Sequence, residues 1–159
     1  MTESRALDDP RLVSIPHEVV EHGPARSLEE AATARGMMPS QLIKTMVVRR
    51  GTDDYLFVLV PGDRVISWPK LRGHLGVNRL SMPDAEEAKA VTGYERGTIT
   101  PLGAERNWPV VADSHLSDIV SLGGGAHGVS VTLSSADLVA TFGAEIVDVT
   151  DPFEIPRPG

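Results

Sequence analysis

At 159 residues, with 41% hydrophobic and 23% charged, the chain carries enough apolar material for one compact core and too little for two. The absence of cysteine excludes disulfides, thiolate catalysis and cysteine-based zinc sites, and fits a cytoplasmic location. A net charge of −7 disfavours broad phosphate-driven binding to DNA, and no apolar run approaches the roughly eighteen residues of a membrane span, so neither DNA nor membrane is an expected partner.

Residues 1–16 mix charges with two prolines and lack the apolar segment of a secretory signal, so 1–15 read as a loosely ordered lead-in. A short strand is predicted over 16–20, and a break at Gly23-Pro24. A helix then follows over 28–35, with Ser27 as cap and Glu30 at the capping-box position. Between 41 and 49 the alternation predicts a strand with Ile43, Thr45 and Val47 on one face and Leu42, Lys44, Met46 and Val48 on the other. A lysine therefore shares a face with apolar side chains. Residues 51–54 read as a turn and 55–60 as a second apolar strand, which makes 46–60 an antiparallel hairpin closed by Pro61-Gly62-Asp63.

Residues 67–75 suit a helix with proline near its start, 77–80 a short strand, and 83–91 a helix whose early acids face the positive end of its dipole. Arg49, Arg50, Arg64, Lys70, Arg72 and Arg79 make this middle region more basic than the ends. The stretch Gly93-Tyr94-Glu95-Arg96-Gly97-Thr98-Ile99-Thr100-Pro101-Leu102-Gly103 suits neither helix nor strand, and reads as a loop whose backbone turns sharply or approaches something closely. A β segment is expected at 109–112 and one or two helical turns at 113–119. Strands at 120–122 and 129–133 flank a second cluster, Gly123-Gly124-Gly125-Ala126-His127-Gly128. A helix from Ser134 or Ser135 to 142, a strand at 145–149 and a proline-rich tail at 151–159 complete the chain.

Short strands with helices between them predict a mixed α/β or α+β domain over 16–150, built on a curved sheet. Neither glycine cluster has the G-x-G-x-x-G or P-loop spacing, which argues against a doubly wound nucleotide fold.

The order of these pieces resembles the YbaK-like aminoacyl-tRNA deacylases, relatives of the editing domain inserted in bacterial prolyl-tRNA synthetases. The matching residues are Glu21-His22-Gly23, Glu30-Ala31-Ala32, Ile43-Lys44-Thr45-Met46-Val47, Pro61-Gly62-Asp63, the loop from Gly93 through Pro101-Leu102-Gly103, Val110-Val111-Ala112-Asp113, the turn at 124–128 and Ala136-Asp137-Leu138. The resemblance implies a barrel-like mixed sheet with helices packed outside. It implies a hydrolase that cleaves the ester joining a wrong amino acid to the tRNA 3′ adenosine, with the aminoacyl-tRNA acceptor end and prolyl-tRNA synthetase as partners. It also implies Lys44 as the residue tied to activity. Ala126-His127 stands where many relatives carry arginine or serine, and Ser27 where threonine is frequent. The amino acid removed stays open among alanine, cysteine and serine.

Ester hydrolysis needs oriented donors where negative charge develops. Lys44 is the expected catalytic residue, acting electrostatically. Gly93, Tyr94, Gly97, Thr100, Pro101, Gly103, Asp113, Gly124, Gly125, His127 and Gly128 are the expected substrate-binding set. Each has a plainer reading: the glycine loops as tight connections, Asp113 as a cap, Thr100 bonded to its own backbone, and His127 a turn residue without a task. Trp68 and Trp108 read as packing residues. No histidine or acid cluster has ligand spacing, so no cofactor and no catalytic metal are expected. Two rival functions stay in view: a catalytically silent module that binds a small amino-acid-like or nucleotide ligand, and a domain that docks on a synthetase.

Overall fold

The apolar run 55–60 becomes the middle of the molecule. In the computed structural model, which describes residues 5–22, 28–95 and 97–152, it forms strand β3 (Asp54–Pro61), which is buried on both faces. Tyr55, Phe57 and Leu59 point into one core and Leu56, Val58 and Val60 into another, as the two-residue strand period requires. β3 pairs antiparallel with β2 (Ile43–Gly51) and parallel with β5 (Val110–Asp113), which pairs parallel with β8 (Glu145–Val147).

A second sheet runs β1–β7–β6, formed by His17–Glu21, Val129–Ser134 and Ile119–Gly123. One parallel bridge, Leu42 to Ser121, joins it to the edge of β2. The result is a mixed α/β architecture with a curved sheet in which, among the described residues, no strand pairs with the outer edge of β1 or β8, so that it does not close into a barrel. Val120, Leu122, Val131 and Leu133 pack onto the first core together with Leu138 of helix α5 (Ser135–Phe142). On the opposite face of β3, helix α3 (Trp68–Leu75) contributes Leu71, and Val149 joins it.

The helices begin and end where their caps predict. Ser67 caps α3, Asp84 caps α4 (Ala85–Thr92) and Ser134 caps α5, each accepting a backbone N–H of the first turn. Helix α2 (Leu28–Ala34) lies where expected, although its Ser27 cap, the Gly23-Pro24 break and Arg96 fall outside the described residues.

Five expectations need correction. The lead-in is not loose over 5–15: helix α1 (Pro10–Val13) forms there, and Ala6 and Leu12 are fully buried in the first core. Residues 77–80 form no strand, because this stretch meets β2 in a single bridge, Ser81 to Arg49. Residues 113–119 form no helical turns, because the Asp113 carboxylate takes the His115 N–H and holds the chain in a turn. Asp151 and Pro152 belong not to a tail but to β9 (Thr150–Pro152), which pairs with β4 (Arg64–Ile66). The strand expected at 145–149 also ends at Val147, where Asp113 captures the Val149 N–H at 3.1 Å.

Candidate functional site

β2 is bounded on its outer side by two bridges, at Leu42 and at Arg49, and between them a cleft of about 630 Å³ opens. Its floor is the strand from Ile43 to Val47. One wall is the start of α4 with Met82, Pro83, Asp84 and Ala88, and the other is the first glycine loop with Gly97 and Ile99. Lys44, the expected catalytic residue, lines this cleft alongside Gly97.

Lys44 alternates onto the face of β2 that carries Met46 and Val48, and its Nζ donates to the Arg64 carbonyl at 2.6 Å. Burial lowers its pKa from the ordinary lysine value, and the nearby Asp63 carboxylate offsets part of that. Since the fold disfavours the charged form, native stability gains as pH rises from the lowered value toward about 10.4, that of a free lysine. An NMR titration of the Lys44 ε-methylene is expected to centre below that reference. In Asp63→Asn the midpoint should fall further, and an upward move would contradict the assignment.

Gly97 has φ +89°, a region that L side chains rarely adopt, and a Cβ added to it would meet His127 Cε1 at 3.6 Å. A Cβ on Gly123 would lie 3.4 Å from the Ile99 carbonyl oxygen, so the two glycine turns abut. His127, Gly97 and Lys44 thus gather in one neighbourhood, with His127 exposed at its rim. Gly125 and Gly128 take positive φ and shape the second turn. Gly124 is buried, with its N–H on the Val129 carbonyl at 3.0 Å.

The other expected residues sit elsewhere. Gly93 is the left-handed cap of α4. Tyr94 is buried, donates its hydroxyl to the Leu102 carbonyl at 2.6 Å and lies under the Arg5 guanidinium. Thr100 is fully buried and accepts from the Leu102 N–H, and Pro101 is buried beside it. Gly103 has φ +62° and packs so tightly on Arg5 that a Cβ would come within 2.5 Å of its carbonyl oxygen. Gly93, Tyr94 and Gly103 anchor the loop to the N-terminal segment, and none of the five is among the residues that line the cleft. Asp113 accepts from the Val149 N–H and from both the N–H and Nδ1 of His115, the capping role rather than a wall of the site. Trp108 donates Nε1 to the Val91 carbonyl and meets Tyr55 edge-on, a packing role, and Trp68 packs on the second core.

Tertiary structure assembles two groups that spacing does not reveal. Asp113, His115 and Asp148 bring their ligand atoms within 4.8 Å of one another. The Asp113 oxygens are already engaged as described, and Asp148 pairs with Lys70 at 3.2 Å, which leaves this set poorly suited to a cation. Arg49, Arg50, Arg72 and Arg79 surround an open depression of about 550 Å³ with Asn78. Arg64 and Lys70 leave this basic group, Arg64 bonding Thr150 and Lys70 pairing with Asp148 and Asp151. Sequence reasoning also missed Thr45, whose buried hydroxyl has no hydrogen-bond partner among the described residues, and Asp84, both lining the cleft. Their signal, a threonine after Lys44 and a helix cap, is too common to single out.

A family model described as an aminoacyl-tRNA editing domain matches residues 22–141. The proline–tRNA ligase of Desulforamulus reducens is 32% identical over 141 residues, covering 88% of this chain and 24% of that enzyme. The proline–tRNA ligase of Heliobacterium modesticaldum is 33% identical over 118 residues, covering 74% of this chain and 20% of that enzyme. The chain spans about a quarter or less of the length of these curated relatives. A solved structure described as a candidate trans-editing enzyme for prolyl tRNA synthetase superposes with TM-score 0.81 at 25% identity, over 95% of this chain and 99% of that one. A scaffold protein from computational epitope grafting superposes with TM-score 0.83 at 26% identity, over 94% and 96%.

Proposed function

The chain belongs to the aminoacyl-tRNA editing domain family, and from that premise we propose that it is a trans-editing hydrolase that removes a wrong amino acid from tRNA of the proline type, in the cytoplasm and without a catalytic metal. The observation that carries this reading is the shared cleft of Lys44 and Gly97, with His127 beside it. In the reaction, water adds to the ester carbonyl carbon. The bond from that carbon to the ribose oxygen breaks, the oxygen takes a proton, and the products are free amino acid and tRNA. Lys44 releases the Arg64 carbonyl and turns its ammonium toward the oxygen on which charge develops, and backbone N–H groups of the glycine loop supply further donors. The absence of a metal role rests on the engaged donors of Asp113 and Asp148.

The test is a deacylation panel on tRNA charged with alanine, cysteine or serine, run with and without chelator and with and without prolyl-tRNA synthetase. Chelator-resistant cleavage of at least one substrate is expected. Intact substrates throughout would favour the silent ligand-binding module.

The four arginines serve the same substrate. Arg49 lies five residues along β2 from Lys44, about 17 Å at the rise of an extended strand, a span of a few nucleotides. We expect Arg72 and Arg79 to hold acceptor-end phosphates, because Arg50 is paired with Asp54 at 3.0 Å and Arg49 lies 3.7 Å from Glu87. Arg72→Ala and Arg79→Ala should each raise KM, leave kcat nearly unchanged, and reduce the salt slope of binding by about one. An unaltered slope in both would remove the depression from the tRNA path.

A further inference from the structure

We propose that the cleft reads the free α-ammonium of the aminoacyl group, through the open backbone edge of β2 and the Asp84 carboxylate. This rests on the deacylase reading and narrows its substrate class to esters of unblocked amino acids. N-blocked esters, such as those of peptidyl-tRNA, would be refused.

The orientation of the β2 backbone carries the inference. Arg49 exchanges hydrogen bonds with Ser81 at 2.7 and 3.1 Å on the side away from β3, whereas the Leu42 carbonyl accepts from Gly62 on the β3 side. Backbone groups in a strand alternate in direction, so Thr45 and Val47 point theirs the way Arg49 does. Between the two bridges no strand pairs with that edge among the described residues. The N–H and C=O groups of both therefore face the cleft that Thr45 and Val47 line, and the carbonyls are its backbone acceptors. The buried Thr45 hydroxyl, without a partner among the described residues, adds a further acceptor.

Charge completes the match. Among the cleft's lining residues, Lys44 is the amine and Asp84 the carboxylate, Lys44 rising from the floor and Asp84 from the α4 wall. Asp84 uses Oδ1 to accept the Glu87 N–H at 2.8 Å, which fixes the carboxylate and leaves its second oxygen for a ligand. The positive end of the α4 dipole would repel a cation, but Asp84 with Glu86 and Glu87 in the first turn answers it. An α-ammonium has three N–H donors and no acceptor, which suits carbonyls, a hydroxyl and a carboxylate. The ester oxygen, an acceptor only, suits Lys44.

The experiment compares alanyl-tRNA with N-acetyl-alanyl-tRNA on the same proline tRNA, using the full chain and Asp84→Asn. Asparagine caps a helix as well as aspartate does, so the variant should keep its fold, and a thermal melt checks that. Acetylation is expected to lower kcat/KM about 10- to 100-fold, the worth of lost charge-assisted hydrogen bonds. Asp84→Asn should raise KM for the free-amine substrate about 10-fold and narrow the gap between the two substrates. Equal cleavage of both substrates by the wild-type chain would overturn the inference and leave the deacylase reading standing. Should the chain cleave neither, calorimetry with 3′-alanylamido-3′-deoxyadenosine and its N-acetyl form decides independently of catalysis. Tighter binding of the free amine, weakened in Asp84→Asn, upholds amine recognition although hydrolysis fails, and equal binding overturns it.

Discussion

Lys44→Ala is expected to lower kcat/KM for deacylation by about 100- to 1000-fold, the usual effect of deleting one oriented donor at a developing oxyanion. The change should act on the reaction and far less on the fold. The side chain is half-buried, and its hydrogen bond to the Arg64 carbonyl contributes about 1 kcal/mol when lost. Lys44→Arg sharpens the test. A guanidinium keeps the charge but is planar and wide, and beside Met46 it cannot reproduce the reach of a slender ammonium. We expect arginine to restore only a small part of the rate. A Lys44→Ala protein that melts like wild type and deacylates within a few-fold of it would remove the lysine from the chemistry.

Leu12→Ala is expected to destabilise the chain by about 3 kcal/mol, as large-to-small changes at fully buried leucines do. That corresponds to a Tm lower by roughly 10 °C for a chain of this size. The effect should reach the cleft. The N-terminal segment clamps the base of the first glycine loop: Asp9 accepts the Gly103 N–H at 2.8 Å, Arg5 donates to the Gly103 and Thr92 carbonyls, and its guanidinium covers Tyr94. Burial pushes the Asp9 carboxyl up, but the Arg11 guanidinium and two backbone N–H groups outweigh it and hold the pKa below the usual range. Its stabilisation is therefore complete above about pH 3.9, the unperturbed value, and is lost as pH falls through the lowered one, so the clamp is intact at neutral pH. Chemical denaturation of the variant, with activity measured below its transition, checks both parts. An unchanged midpoint would mean that 5–15 contribute nothing, as their composition first suggests.

Much of the architecture was legible because it repeats simple periods. The alternation over 43–48 and the unbroken run of β3 needed no tertiary information, and neither did the helix starts at Ser67 and Ser134, where local chemistry satisfies the first N–H groups. Elements that failed to show are those whose partners lie far away. β4 and β9 are three residues each and exist only because they find one another across the chain. Residues 10–13 are a short stretch opened by proline within a charged segment, and only packing with Tyr94 and Leu102 in the first core gives Leu12 a reason to be ordered. The turn at 113–119 likewise follows from Asp113 being recruited by Val149, which is 36 residues away.

By itself the sequence determined the strand that carries Lys44, the existence of the glycine loop and the family, since each is written in neighbouring residues or in their order. Tertiary structure alone decided which part of that loop reaches the cleft, because the loop has two ends and only packing against Arg5 and Asp9 selects one as the anchor. It also decided that the edge of β2 stays unpaired between Leu42 and Arg49, and that Asp84 faces it. Both depend on where other elements come to rest, which no local pattern encodes.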